Sequence, residues 1–200
     1  YCGEMRCLMK RFLFFMALLC IWCISFNSVK AVSNAELQDT SRFEHIVSKG
    51  DTGGGDDKYI ELSTLRDIST DARTKSIETK IYVVLPSSDL IREYTIRYDY
   101  NLNYSFANLV AKMPEFKQRF PDFSLNDIWN LKMDESGIVG TVKAQQDYTL
   151  NGESKTTQPG YKGYEYVTFL TPTDFDFESY HVANRVFKKV FGIFYDDVIR

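Results

Sequence analysis

The sequence predicts an α+β domain: a small twisted antiparallel sheet of about five strands, a helical insertion, and a C-terminal helix packed on one face. Three observations carry this. Residues 94–104 alternate, with Tyr94, Ile96, Tyr98, Tyr100, Leu102 and Tyr104 at every second position and Thr95, Arg97, Asp99, Asn101 and Asn103 between them, as in a strand with one buried and one wet face. Phe106, Leu109, Val110 and Met113 then recur at helical spacing. Near the end, Phe177, Tyr180, Ala183, Phe187, Val190, Phe191 and Phe194 make an apolar stripe with Glu178, His181, Arg185 and Lys188 off it.

The chain begins with a different kind of segment. Residues 12–24 carry no charge, follow Lys10 and Arg11, and lead to Ser28-Val29-Lys30-Ala31. A basic start, an apolar run of this length and small residues before a cut describe a secretory signal peptide, with Met9 as the expected start, Met5 as an alternative, and cleavage after Ala31. A bilayer span needs roughly 20 apolar residues, and Ser25, Asn27, Ser28 and Lys30 end this run early. Residues 1–8 read as upstream leader, 9–31 as signal peptide, 32–57 as a flexible arm and 58–200 as one domain. The expected product is exported: periplasmic, surface-bound or secreted, with no stable membrane span after cleavage. N-terminal sequencing of the exported fraction should read Val32 first; residues 9–31 retained in a membrane pellet would refute it.

Cleavage changes the chemistry of what remains. All four cysteines, Cys2, Cys7, Cys20 and Cys23, lie in the leader, so the processed chain holds no thiol for catalysis, disulfides or metal ligation. Of 24 basic and 27 acidic residues the leader takes four and one, leaving 20 and 26 and a net charge of −6. A mildly acidic chain without a basic cluster does not suit nucleic acid. A core alone must hold the domain, which its size permits, since chains near 150 residues bury about 68–70% of their unfolded surface.

Taken in order, residues 32–57 are polar and glycine-rich, with little apolar periodicity beyond Phe43, Ile46 and Val47. Asp51-Thr-Gly-Gly-Gly-Asp-Asp57 lacks the alternating ligands of a calcium loop and reads as solvated linker. Tyr59-Ile-Glu-Leu62 is a short strand. Ile77, Thr79, Ile81, Val83 and Leu85 form one face of the next, which Pro86 stops. After the tyrosine strand, Ser105 is a helix cap, Pro114 ends or kinks that helix, and Phe116, Phe120, Phe123, Leu125, Ile128 and Trp129 continue an aromatic excursion. Strands resume at 138–150, turn at Asn151-Gly152, and return at 164–170. The last helix is expected over 177–195, its acids early and Lys188 and Lys189 late, in agreement with the helix dipole.

Chemistry-bearing patterns are sparse. The histidines are His45, in the expected arm, and His181, on the polar side of the last helix; no zinc motif, nucleophile elbow, phosphate loop or dinucleotide fingerprint occurs. No cofactor is expected. Tyr94, Tyr98, Tyr100 and Tyr104 on one strand face could form a platform for a sugar or a protein partner, or be buried under the C-terminal helix. Asn103-Tyr104-Ser105 is a glycosylation sequon by pattern alone.

Two segments are similar to a known family. Lys58-Tyr-Ile-Glu-Leu-Ser-Thr-Leu-Arg66, followed by Glu78-Thr-Lys-Ile-Tyr-Val-Val84, resembles the opening hairpin of the bacterial surface-adhesin E family, in which Tyr-x-Asp-x-x-Ser-Ile precedes a strand. Tyr166-Val-Thr-Phe-Leu-Thr-Pro172 is similar to its close. Glu61 replaces the family's aspartate, its cysteine pair is absent, and residues 104–133 have no counterpart. The resemblance implies a small antiparallel sheet with a C-terminal helix and a binding rather than catalytic role. The expectation is thus an exported, non-enzymatic binding protein with a protein or glycan partner; the alternatives are a small secreted hydrolase using carboxylates or His181, and an inhibitor or immunity protein.

Overall fold

A computed structural model of the protein describes residues 32–46, 56–155, 166–170 and 177–199. The expected leader, residues 1–31, and most of the glycine-rich linker fall outside these residues. The fold is α+β: a curled antiparallel sheet with helices, as the alternation and the apolar stripes require.

The elements, in chain order, are α1 (Asn34–Leu37), β1 (Phe43–Ile46), β2 (Asp57–Glu61), β3 (Arg66–Asp67), β4 (Thr74–Leu85), β5 (Leu90–Asn101), α2 (Phe106–Ala111), α3 (Met113–Arg119), α4 (Leu125–Asp134), β6 (Ile138–Tyr148), β7 (Ser154–Lys155), β8 (Tyr166–Leu170) and α5 (Phe177–Phe191). The sheet order is β1-β2-β4-β5-β6-β7, with β3 also on β4 and β8 also on β6. The five expected strands are β2, β4, β5, β6 and β8. The sheet is larger than expected, with eight strands among the described residues, because two-residue strands and β1 extend its edges.

The front face carries the main core. Tyr100 pairs with Lys75 and Ile138, and Tyr98 with Ile77 and Gly140, so their side chains share one face. Over it lies α5, whose Tyr180, Ala183 and Phe187 are buried against Ile77, Tyr98, Tyr100 and Leu170. The Tyr100 hydroxyl donates to Ala183 O at 2.8 Å, and Phe187 packs on Tyr100 with ring centroids 4.8 Å apart. The helix ends at Phe191 rather than 195. Gly192 takes φ +78° and its N–H donates to Lys188 O, a left-handed cap that only glycine adopts without strain. The chain then turns Tyr195 back into the core, where its hydroxyl donates to Asn101 O at 2.7 Å.

The back face corrects the expectation of a flexible arm and of one wet sheet face. Residues 32–46 are built into the domain. Asn34 N donates to Leu150 O at 2.9 Å, Ser33 and Glu36 form a capping box on α1, and β1 pairs with β2 from Phe43↔Glu61 to Ile46↔Lys58. Leu37 and Phe43 are buried, as are Tyr59, Tyr82, Val84, Ile91 and Tyr148 on the sheet's back. Phe43 packs edge-on against Tyr82, with ring centroids 5.6 Å apart, and Val32 of the same segment is buried as well. Further along, the back is polar, with Ser76 on Asp99 at 2.5 Å and Arg97 on Asp99 at 2.9 Å.

Between β5 and β6 comes the helical insertion. Ser105 caps α2, accepting from Asn108 N. Pro114 sits in the first turn of α3, so it opens a second helix where α2 stops. Lys132 of α4 is 0% exposed; its ammonium donates to Tyr104 O (2.9 Å) and Ser136 O (2.8 Å) and pairs with Asp196 (2.8 Å). This one side chain ties the insertion to the end of β5 and to the C-terminal segment. Gly137, at φ +79°, is the neighbouring constraint: a Cβ there would lie 2.4 Å from both Tyr104 Cβ and Tyr195 Oη.

Burial pushes the phenols of Tyr82, Tyr98, Tyr100, Tyr180 and Tyr195 above their ordinary range; Glu93 and Glu61 add to this at Tyr82, and Asp196 at Tyr180 and Tyr195. A group with a raised folded pKa contributes stability below its unfolded value, about 10 for tyrosine, and loses it as pH rises toward the folded value. Lys132, lowered by burial, acts in the opposite sense, but one lysine opposes five phenols. The midpoint of thermal unfolding should therefore hold up to about pH 10 and fall steeply above it, with tyrosine ionisation at 295 nm rising together with unfolding. Ionisation of the full tyrosine set in the still-folded protein would contradict this.

Candidate functional site

Helix α5 is 15 residues long, while β4 and β5 have 12 each. At about 1.5 Å per helical residue and 3.4 Å per strand residue, the helix spans about 22 Å against strands of about 40 Å. One helix cannot cover such a sheet, and beside its first turn the described residues leave a groove of about 460 Å³ on the front face. Its floor is Tyr94, Ile96 and Tyr98 of β5 with Gly140 and Val142 of β6; Val83 and Leu170 extend it. Lys58, Lys143, Gln145, Thr168 and Ser179 supply the polar atoms. The start of α5 is fixed over it by the Lys58–Glu178 ion pair.

Two local devices shape the groove. Gly140 faces Tyr98 across the ladder and puts no side chain on the floor; a Cβ there would meet Leu170 at 3.5 Å and Tyr98 at 3.6 Å, ordinary contact distances. The second is a β-bulge, since Thr95 pairs with Ala144 and Ile96 with Val142, leaving Lys143 as the extra residue. Bulges bend a strand and re-aim a side chain, and Lys143 lines the groove.

The four sequence-predicted tyrosines separate. Tyr94 is half-buried and Tyr98 is 3% exposed, both at the groove. Tyr100 is 0% exposed, held under α5, and presents nothing to a partner. Tyr104 is off the strand, because β5 ends at Asn101 and Leu102–Tyr104 form a 3-10 turn. The continuous platform is therefore corrected to a pair. Sequence reasoning missed Gly140, Val142, Lys143, Gln145, Thr168, Leu170, Lys58 and Ser179; the only available signal was a glycine inside a strand, which often marks a close approach or a ligand.

The remaining candidates lie elsewhere. His45 stacks on Tyr59 with centroids 4.6 Å apart and meets Asp57 at 3.0 Å. His181 is half-buried, its pKa lowered by burial and by Arg185, and it is not among the groove residues. Among the described residues, no three His, Cys, Asp or Glu side chains are grouped to hold a metal ion, and no helix is long and apolar enough to cross a membrane. The sequon serine, Ser105, is buried and donates to Val198 O at 2.5 Å. On the insertion, Leu125, Trp129 and Met133 leave an exposed apolar stripe along α4.

Comparison with known families, curated proteins and solved structures finds no match. Function therefore has to be argued from the groove itself.

Proposed function

We propose that this is an exported, non-enzymatic binding protein whose site is the front-face groove. One observation carries the reading: a groove of about 460 Å³ on the sheet's core face, lined mainly by apolar side chains. Its volume lies in the range of small-molecule sites, about 300–1,000 Å³, and its composition, mainly apolar with a few polar groups, is that of a recognition pocket. The partner is a protein or a glycan presenting an apolar group, or a free ligand. Export is supported by the leader pattern, and a binding role is what the adhesin E resemblance implies. Against the hydrolase alternative stands the placement of His181 outside the groove.

The test is occlusion. Gly140→Leu places a side chain on the groove floor at a position where the Cβ itself is tolerated. In capture experiments on a glycan array and with candidate protein partners, this variant should lose at least tenfold in affinity while its circular dichroism is unchanged. Undiminished binding of every partner by a folded Gly140→Leu chain would place recognition elsewhere, with the α4 stripe as the next surface.

A further inference from the structure

We infer that the groove takes a small apolar molecule, a ketone or an ester, whose carbonyl oxygen accepts a hydrogen bond from the Tyr98 hydroxyl. This rests on the groove being the binding site and adds the chemistry of what fills it. The tyrosines carry the first argument. Among the described residues seven are buried, and the hydroxyls of six, Tyr59, Tyr82, Tyr100, Tyr148, Tyr180 and Tyr195, share a hydrogen bond with another group of the chain. A buried phenol ordinarily finds such a partner. Tyr98, 3% exposed, has none among the described residues. Its oxygen is not sealed in either. The one enclosed side-chain polar atom without a hydrogen bond among those residues is Glu44 Oε2, which has the Lys189 ammonium at 3.0 Å. The Tyr98 oxygen therefore keeps an opening, and the space that Tyr98 lines is the groove.

The second argument is the setting of that hydroxyl. Tyr98 pairs with Gly140 and Gly140 with Thr168, so a phenol and a threonine hydroxyl flank a position that carries no side chain, and all three residues line the groove. Val83, Ile96, Val142 and Leu170 make its walls apolar and suit an apolar body. The third argument is which polar group such a body must carry. A hydrocarbon seated over Tyr98 would take water from the hydroxyl and return no hydrogen bond, which is costly. A carbonyl oxygen has two lone pairs and no hydrogen, so it can accept from Tyr98 and from Thr168 together. An alcohol brings a third O–H into the same space, and in a chain of three hydroxyls the last hydrogen has no acceptor; an amide N–H raises the same difficulty. A carboxylate at this depth would give up its hydration for neutral donors, and burying a charge costs more than such bonds return. Burial pushes the Tyr98 phenol above its ordinary range, which keeps it a neutral donor.

The test uses four ten-carbon probes, decan-2-one, methyl nonanoate, decan-2-ol and decanoate, each below its solubility or micelle limit, titrated calorimetrically into the purified protein. The ketone or the ester should bind at one per chain and at least about fivefold more tightly than the alcohol and the carboxylate, and the tighter of the two names the carbonyl class. Tyr98→Phe, which removes a single oxygen, should bring the carbonyl probes down to the affinity of the alcohol, and Gly140→Leu should abolish binding. The free protein supplies a second readout. Tyr98→Phe should unfold at a thermal midpoint no lower than the parent's, whereas Tyr100→Phe, which loses its bond to Ala183 O, should unfold at a lower one. A midpoint lowered as far by Tyr98→Phe, equal or tighter binding of the alcohol or of decanoate, or carbonyl binding untouched by Tyr98→Phe would overturn the inference. No binding of any probe would also overturn it, and a glycan or protein partner lost on Gly140→Leu would then leave the groove as the site. Probe binding that Gly140→Leu does not affect would remove both readings.

Discussion

Replacing Phe187 by Ala is expected to lower the unfolding free energy by about 3–5 kcal/mol. Phe187 is 2% exposed and sits among Tyr100, Tyr195 and Phe191, with centroids 4.8, 5.7 and 4.6 Å away. Cost at such a site depends on how far the neighbours can collapse into the void. Here they are held: Tyr100 by its hydrogen bond to Ala183 O and Tyr195 by its bond to Asn101 O. Moving either ring inward breaks a buried hydrogen bond, so the upper half of the range is expected. Urea unfolding of both proteins measures it, provided the m-values agree. A loss below about 1 kcal/mol, near the range of about 0.5 kcal/mol usual for surface changes, would mean that the α5 stripe is not the core.

Lys132→Ala is expected to cost a similar amount by a different route, about 3–5 kcal/mol, the usual penalty for removing one member of a buried ion pair. The ammonium satisfies Tyr104 O, Ser136 O and Asp196 at once, and it lies 5.6 and 4.8 Å from the ring centroids of Tyr180 and Tyr195. Removal takes a charge-assisted donor from both carbonyls, of which Ser136 O keeps the Tyr195 hydroxyl at 3.1 Å, and leaves a void between α4 and the C-terminal segment. Asp196 is partly exposed and also accepts from Phe106 N and the Tyr180 hydroxyl, so Asp196→Asn should cost less than half as much. Equal losses for the two variants in urea unfolding would mean that the pair, rather than the carbonyl bonds, supplies the stabilisation.

How much of this was legible follows from where each signal is stored. The five main strands and α5 announce themselves through local periodicity, and so do the Ser105 cap and the Asn151-Gly152 turn, because each depends on residues within a few positions of one another. Lys132 gave no signal, since an isolated lysine on a helix is ordinarily solvated and its three partners come from distant segments. The N-terminal segment differs for a related reason: Val32, Leu37 and Phe43, all buried, make no period, and the ring that Phe43 packs on, Tyr82, comes from a distant strand. Alternation placed Tyr94, Tyr98 and Tyr100 on one face correctly, but could not say where a helix of 15 residues would stop covering them. The groove is the remainder of that mismatch, and no local pattern encodes a remainder.

The bulge in β6 sets Lys143 apart from every other residue of that strand. Val142 and Ala144 already face Ile96 and Thr95, so excising Lys143 leaves a regular ladder with each later pair in its present register. Substitution and deletion therefore ask different questions here. The first changes charge, and the second straightens the strand and removes the curvature that the extra residue imposes. A residue supernumerary to pairing can be removed without breaking the ladder on either side of it, so its effect on the surface can be separated from strand pairing. A chain lacking Lys143 that folds normally but loses the groove would separate architecture from use in a single codon.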